Sequence, residues 1–213
     1  YVDSQGSIYA IDKNSERQFV ANSTYSADTK LSVGDWTGDG TPEVLYANTS
    51  DNDYLYYANT SGTPTKIADK SADAVLGAVD FDKNGQKDIV YVGTSQTLQY
   101  YNGTTTISPS ETTIGTGSTS IGVGAPMDFY NTSSYWVPIV DTSQNRVLIN
   151  ASGAERTLDG GAQKVPVTGA NWTGDGQLEY FGLKNSQVKY TTLGNSAGTS
   201  TVYAADGNSM NAV

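Results

Sequence analysis

Apolar residues along this chain come in short alternating runs rather than helical stripes. Val44–Ala47, Ile89–Val92, Val137–Val140 and Val147–Ile149 are bounded by clusters of Asn, Asp, Ser, Thr and Gly. Alternation over four to six residues between polar turns predicts half-buried β-strands rather than helices. The runs also pair. Glu43–Ala47 and Tyr54–Ala58 flank "NTSDND", and Ile89–Val92 and Thr97–Tyr101 flank "GTSQ". Val137–Val140 is followed by Arg146–Ile149, and Leu178–Leu183 by Gln187–Thr192. Each pair reads as an antiparallel hairpin. A further apolar stretch precedes each pair (Ala74–Leu76, Ile121–Val123, Val165–Val167), and a more variable one follows, as at Lys66–Ile67 and Thr199–Ala205.

These groups of four strands repeat. "GDWTGDGTPEVLYA" (34–47) matches "VDFDKNGQKDIVYV" (79–92) and "ANWTGDGQLEYFGL" (170–183), with a worn copy, "MDFYNTSSYWVPIV" (127–140). The lead residues Asp35, Asp80, Asp128 and Asn171 stand 45, 48 and 43 residues apart. Four strands in about 45 residues is the signature of a propeller blade. The ends complete the pattern: "YVDSQGSIYAID" (1–12) matches a blade from its second strand onward, and "SMNAV" (209–213) matches a first strand. The expectation is an all-β protein, a single β-propeller domain over 1–213 with five four-stranded blades, one shared by the two termini. Its units fall near 1–32, 33–76, 77–123, 124–167 and 168–213. Closure with strands from both ends would hide the sheet edges. The runner-up is an open piece of a six- or seven-bladed ring.

Composition narrows the function. The 213 residues include 15 Tyr, 23 Gly and 48 Ser or Thr, which suits strands and turns. A net charge of −10 disfavours nucleic acid and anionic membrane surfaces and favours cations. With no Cys and no His, disulfides, thiolate chemistry, His-based triads and His-ligated metals are excluded. No apolar run approaches membrane-spanning length, so no direct membrane insertion is expected. The chain opens at Tyr1, which reads as a processed chain or a fragment. Seven N-x-[ST] sequons, at Asn22, Asn48, Asn59, Asn102, Asn131, Asn150 and Asn171, fit a secreted glycoprotein.

The loop that opens each unit carries the candidate chemistry. In the second, side chains at positions 1, 3, 5 and 9 are Asp80, Asp82, Asn84 and Asp88, and the Gln86 carbonyl stands at position 7. Oxygen ligands at this spacing suit a hard cation with six or seven contacts, and Gly85 allows the turn that folds them inward. A helix–loop–helix calcium hand is excluded, because position 12 is Tyr91 rather than Glu and a strand follows. The first loop offers Asp35, Thr37, Asp39, the Thr41 carbonyl and Glu43. The last offers Asn171, Thr173, Asp175, the Gln177 carbonyl and Glu179. The third keeps only Asp128 and puts Trp136 at position 9, so no metal is assigned there. The alternative for all of them is an Asx turn without metal.

Repeated at this spacing, "D-h-x-x-[DN]-G-x-x-[DE]-h" resembles the FG-GAP and VCBS-type repeats, the calcium-bearing blades of integrin alpha-chain propellers and of many microbial surface proteins. "GAVDF" (77–81) and "GAPMDF" (124–129) keep their Gly-Ala element. The resemblance implies two to three structural calcium ions on one face, with a protein or glycan partner on the other. That second face would be built here from the turns at 48–53, 93–96, 142–145 and 185–186 and from the connections 68–72, 115–120 and 159–163. Asp51, Asp53 and Tyr54 are the candidate contacts.

Trp36, Phe81, Phe129 and Trp172 share one repeat position and are expected to pack between blades. Of Tyr56-Tyr57 and Tyr100-Tyr101, one of each pair is expected in the core and one exposed. Paired carboxylates are the one credible catalytic set, and nearly all acids are spent in loops and turns. The expectation is therefore a non-catalytic, extracellular binding or adhesion module on a microbial surface, appendage or virion. The alternatives are a structural subunit of a surface lattice or filament, and a carbohydrate-active enzyme.

Overall fold

The computed structural model describes residue 3 and residues 7–11, 17–22, 31–59, 63–102, 110–113, 122–130, 132–140, 146–159, 163–171, 178–184, 187–191 and 200–202. Among these residues the protein is all-β, with a single turn of 3-10 helix at Thr49–Asp51. Strands β1 (Ser7–Ile11) and β2 (Arg17–Asn22) form an antiparallel ribbon. Next, β3 (Ser32–Gly34), β4 (Glu43–Asn48), β5 (Tyr54–Ala58), β6 (Thr65–Val79), β7 (Asp88–Gly93), β8 (Leu98–Asn102) and β9 (Ser110–Thr113) lie in chain order in one seven-stranded sheet. Then β10 (Gly122–Val123), β11 (Trp136–Val140), β12 (Arg146–Asn150) and β13 (Glu155–Asp159) form a four-stranded meander. A second meander is built from β14 (Gln163–Ala170), β15 (Glu179–Lys184), β16 (Gln187–Thr191) and β17 (Ser200–Val202). Every hairpin read from the sequence is present, to within one or two residues at its ends.

The seven-stranded sheet is two meanders that share one strand. Residues Thr65–Ser71 of β6 pair with β5, while Ala72–Val79 pair with β7. This corrects the expectation that 68–72 is a connection between blades: it is continuous strand. The stretch "TKIADKSADAVLGAV" contains no proline, and its first glycine is Gly77, so nothing in it breaks an extended chain.

The chain divides into two compact units, residues 1–79 with 87–111 and residues 80–86 with 112–213. In the first, β4 is covered on both faces. Leu45 and Ala47 point into a core with Leu55, Ala72, Val75, Ile89, Tyr91 and Tyr101, onto which Trp36 packs. Tyr46, one residue out of phase, packs instead with Ile8 and Ala58. Alternate residues of one strand thus serve two cores, which is what stacked sheets require. β7 is buried along its whole length for the same reason. Tyr100 and Tyr101 are both buried, not one in and one out, because both faces of β8 are covered. The close approach is set by small residues: a Cβ on Gly34 would sit 3.3 Å from the Cβ of Ala78. In the second unit Phe129 and Leu148 form the buried core, with Met127, Tyr130, Trp136 and Leu178 packed on it. A Cβ on Gly169 would come within 2.9 Å of Phe129 Cε1.

The proposed closure strand 209–213 and the turns 142–145 and 185–186 lie outside the described residues, as do residues 115–120.

Candidate metal centre

The loop from β6 to β7 is curled by its own side chains. Asp82 Oδ1 accepts from the Asn84 amide at 3.0 Å, and Asn84 Oδ1 accepts from the Gln86 amide at 2.7 Å. These are successive Asx turns. Lys83 and Gly85 take left-handed backbone conformations, with φ of 64° and 87°. The Gly85 N–H then donates to Asp80 Oδ2 at 3.1 Å. Asp88, the first residue of β7, is fully buried and faces inward from the rigid sheet. The result is that carboxylate oxygens of Asp80, Asp82 and Asp88 lie within 4.8 Å of one another. Among the described residues no other group of three or more acids converges so.

Asp80 decides whether a cation fits. Its Oδ1 is buried and has no hydrogen-bond partner among the described residues. A buried carboxylate oxygen without a donor costs about 1–3 kcal/mol or more. Like charges about 4 Å apart add repulsion on the order of a few kcal/mol even at an effective dielectric of 20. An oxygen-coordinated divalent ion relieves both costs, and the oxygen-only donor set is that of calcium or magnesium rather than a soft metal.

The first loop differs at Asp35 and Glu43. Asp35 Oδ1 accepts from the Gly38 amide at 2.8 Å, and Oδ2 takes an ion pair from Lys87 Nζ at 2.9 Å. Lys87 Nζ also donates to the main-chain oxygen of Asp35. Glu43 is buried and accepts from the amides of Trp36 and Thr37 at 2.8 and 3.2 Å and from the Thr37 hydroxyl at 3.3 Å. Its extra methylene reaches those amides. Asp39 is exposed and accepts from the Thr41 amide at 2.7 Å. Asp35, Asp39 and Glu43 are not brought together as the second-loop acids are.

In the third loop both oxygens of Asp128 are used, by the amides of Thr132 and Ser133 at 3.0 and 2.7 Å. Trp136 takes the place of Asp88 and packs edge-on against Tyr130 with ring centroids 5.8 Å apart. Tyr130 in turn accepts from Arg156 at 2.8 Å. Of the fourth set, Asn171 is exposed and Glu179 buried; Thr173, Asp175 and Gln177 lie outside the described residues.

Two sequons turn out to be turn devices. Asn48 Oδ1 accepts from the Ser50 amide at 3.0 Å, and Asn150 Oδ1 from the Ser152 amide at 3.2 Å. In each the third sequon residue closes an Asx turn, a use of Asn-x-Ser that needs no glycan. Asn59 and Asn102 are half-buried; the side chain of Asn22 and all of Asn131 lie outside the described residues.

At the turn 48–53, Asn52 and Asp53 are both left-handed, with φ of 54° and 58°. Ser71 Oγ and the Ala72 amide tie it to β6 through the carbonyls of Asn52 and Asp53. Lys66 Nζ stands 2.7 Å from Asp51 Oδ2 and from Asp69 Oδ1, and 4.5 Å above the Tyr54 ring. Tyr56 donates to Asp51 Oδ2 at 2.8 Å. Asp51, a candidate ligand contact, is therefore spent on Lys66 and Tyr56. Neither Lys66 nor Lys87 stood out in the sequence, because their partners are fixed by cross-strand register and by packing between repeats.

These pairs have a pH signature. The hydrogen bond from Lys87 holds the Asp35 carboxyl below its ordinary 3.8, and Lys66, then Tyr56, do the same for Asp51. Burial, then Asp53, pushes Asp73 up. A depressed carboxyl contributes stability that is complete above 3.8 and lost as pH falls through its folded value; a raised one is relieved on acidification. Thermal melts in chelator, taken from neutral pH into acid, should therefore hold or rise slightly until near 3.8 and fall below it. Asp51→Asn should flatten the acid limb; a decline already complete above 3.8 would contradict the assignment.

Four-stranded units, opened in the first two by acidic glycine-bearing loops, define the class: a repeat-built all-β protein. Residues 35–91 match the profile of the FG-GAP-like repeat, so the resemblance drawn from the motif is borne out over the first two loops. No curated protein matches the chain. Among solved structures it is similar to a chain of the Tc holotoxin pore of Photorhabdus luminescens, at 13% identity and a TM-score of 0.46. That likeness covers 92% of this chain and 10% of the other, so this chain spans about a tenth of that one's length. Among the described residues no helix is long and apolar enough to cross a membrane.

Proposed function

We propose that the chain is a calcium-stabilised β-propeller of five blades acting as a non-catalytic, extracellular binding or adhesion module. The observation that carries the metal is the buried oxygen of Asp80, without a donor among the described residues, beside Asp82 and Asp88. The ligand set is Asp80, Asp82, Asn84, the Gln86 carbonyl and Asp88; when bound, calcium supplies charge neutralisation that fixes the loop. The set at Asn171 to Glu179 is a second candidate site. The FG-GAP-like match over 35–91 supports the propeller and the exported setting.

Binding is assigned to the turn 48–53 and its equivalents. This turn is held rigid by β6 and presents Tyr54 and Lys66 on a fixed backbone, as grafted binding sites commonly are. The partner is a protein or a glycan. A glycan array and a pull-down from a microbial surface, each run with wild type and with residues 48–53 replaced by Gly-Ser, test this. Capture lost in the loop replacement but kept in Asp82→Asn with calcium is the expected result. Capture lost in neither, or turnover of a glycan, would overturn it.

A further inference from the structure

Among the described residues, the lead aspartate is met differently in each of the first three loops. Asp128 takes two backbone amides, Asp80 keeps a buried oxygen without a donor, and Asp35 takes a lysine. The lysine is contributed by the neighbouring repeat, 52 residues away in the chain. Its ammonium engages both the side-chain and the main-chain oxygen of Asp35, as a bound cation would. Both partners are half-buried, so the contact is partly shielded from solvent.

We infer that Lys87 is the resident cation of the loop 35–43, its ammonium standing where the repeat otherwise takes a metal ion, so that this loop binds none. The acid at the other end of the loop agrees with this: Glu43 is committed to the amides of Trp36 and Thr37. Lys87 also lies between Gln86 and Asp88, two ligands of the second loop. An ion there fixes the backbone that aims the ammonium, so metal at one loop orders the next without binding it. This inference rests on the calcium assignment for 80–88.

The test counts ions by titrating the full chain with calcium chloride alone. Relative to wild type, Asp82→Asn should lose one ion, Asp35→Asn none, and Lys87→Arg none. Lys87→Met should gain one weakly held ion, lost again in Lys87→Met with Asp35→Asn. Asp35→Asn losing an ion from the wild type would overturn the inference, as would Lys87→Met binding the wild-type number. A wild type that binds no calcium would instead sink the assignment at 80–88, and this inference with it.

Discussion

Removing calcium with excess chelator should lower the melting temperature by about 5–10 °C. An ion bound only by the folded state at a hundredfold excess over its Kd adds about 2.7 kcal/mol, and each kcal/mol moves the midpoint of a chain this size by about 2–4 °C. The sharper form of the prediction is a crossing. In calcium, Asp82→Asn should be less stable than wild type, because one charged ligand is gone. In chelator it should be as stable or more so, because the three carboxylates that converge within 4.8 Å become two. Melting curves of both proteins in both buffers decide it. A wild-type curve indifferent to chelator, or Asp82→Asn equally damaged in both buffers, would end the metal assignment.

Phe129→Ala should cost about 3–5 kcal/mol, on the order of 10 °C in melting temperature, whether or not calcium is present. The ring is fully buried, with Leu148 in its core and a backbone glycine, Gly169, drawn against it. On the Gly169 side the ring meets backbone rather than a side chain, so nothing there can swing into the cavity and collapse is limited. Independence from calcium separates this core effect from the loop effect, since Asp128 is held by backbone amides alone. Urea unfolding with and without chelator measures it; a loss below about 1 kcal/mol would show that the neighbourhood repacks.

The repeat position of Phe129 was legible because an aromatic residue recurs right after each lead residue, and Phe81 and Phe129 are indeed buried. Hairpin boundaries were legible for the same reason: alternation and Asn- or Gly-rich turns are local signals. The second loop was legible as a cluster because its three acids lie within nine residues of one chain segment, so spacing alone folds them together. What the spacing did not show was whatever depends on a second segment. The first loop has the same spacing, yet Lys87 answers Asp35 from the next repeat, and Glu43 uses one more methylene to reach amides instead. Tyr100 and Tyr101 misled because period two predicts opposite faces but not whether both are covered. The join at 68–72 misled because polar residues there resemble a linker, while in fact Ser71 and Ala72 mark a change of partner within one strand.

That change of partner bears on how such a chain could be rearranged over evolutionary time. Repeats joined by a slack connection can be duplicated, lost or traded as single cassettes, since the cut falls in a segment that no ladder uses. Here every residue from Thr65 to Val79 lies in one strand, giving its first half to one meander and its second half to the next. Any crossover inside it leaves both sides with a frayed edge, so the smallest cassette that transfers intact is the pair of meanders together.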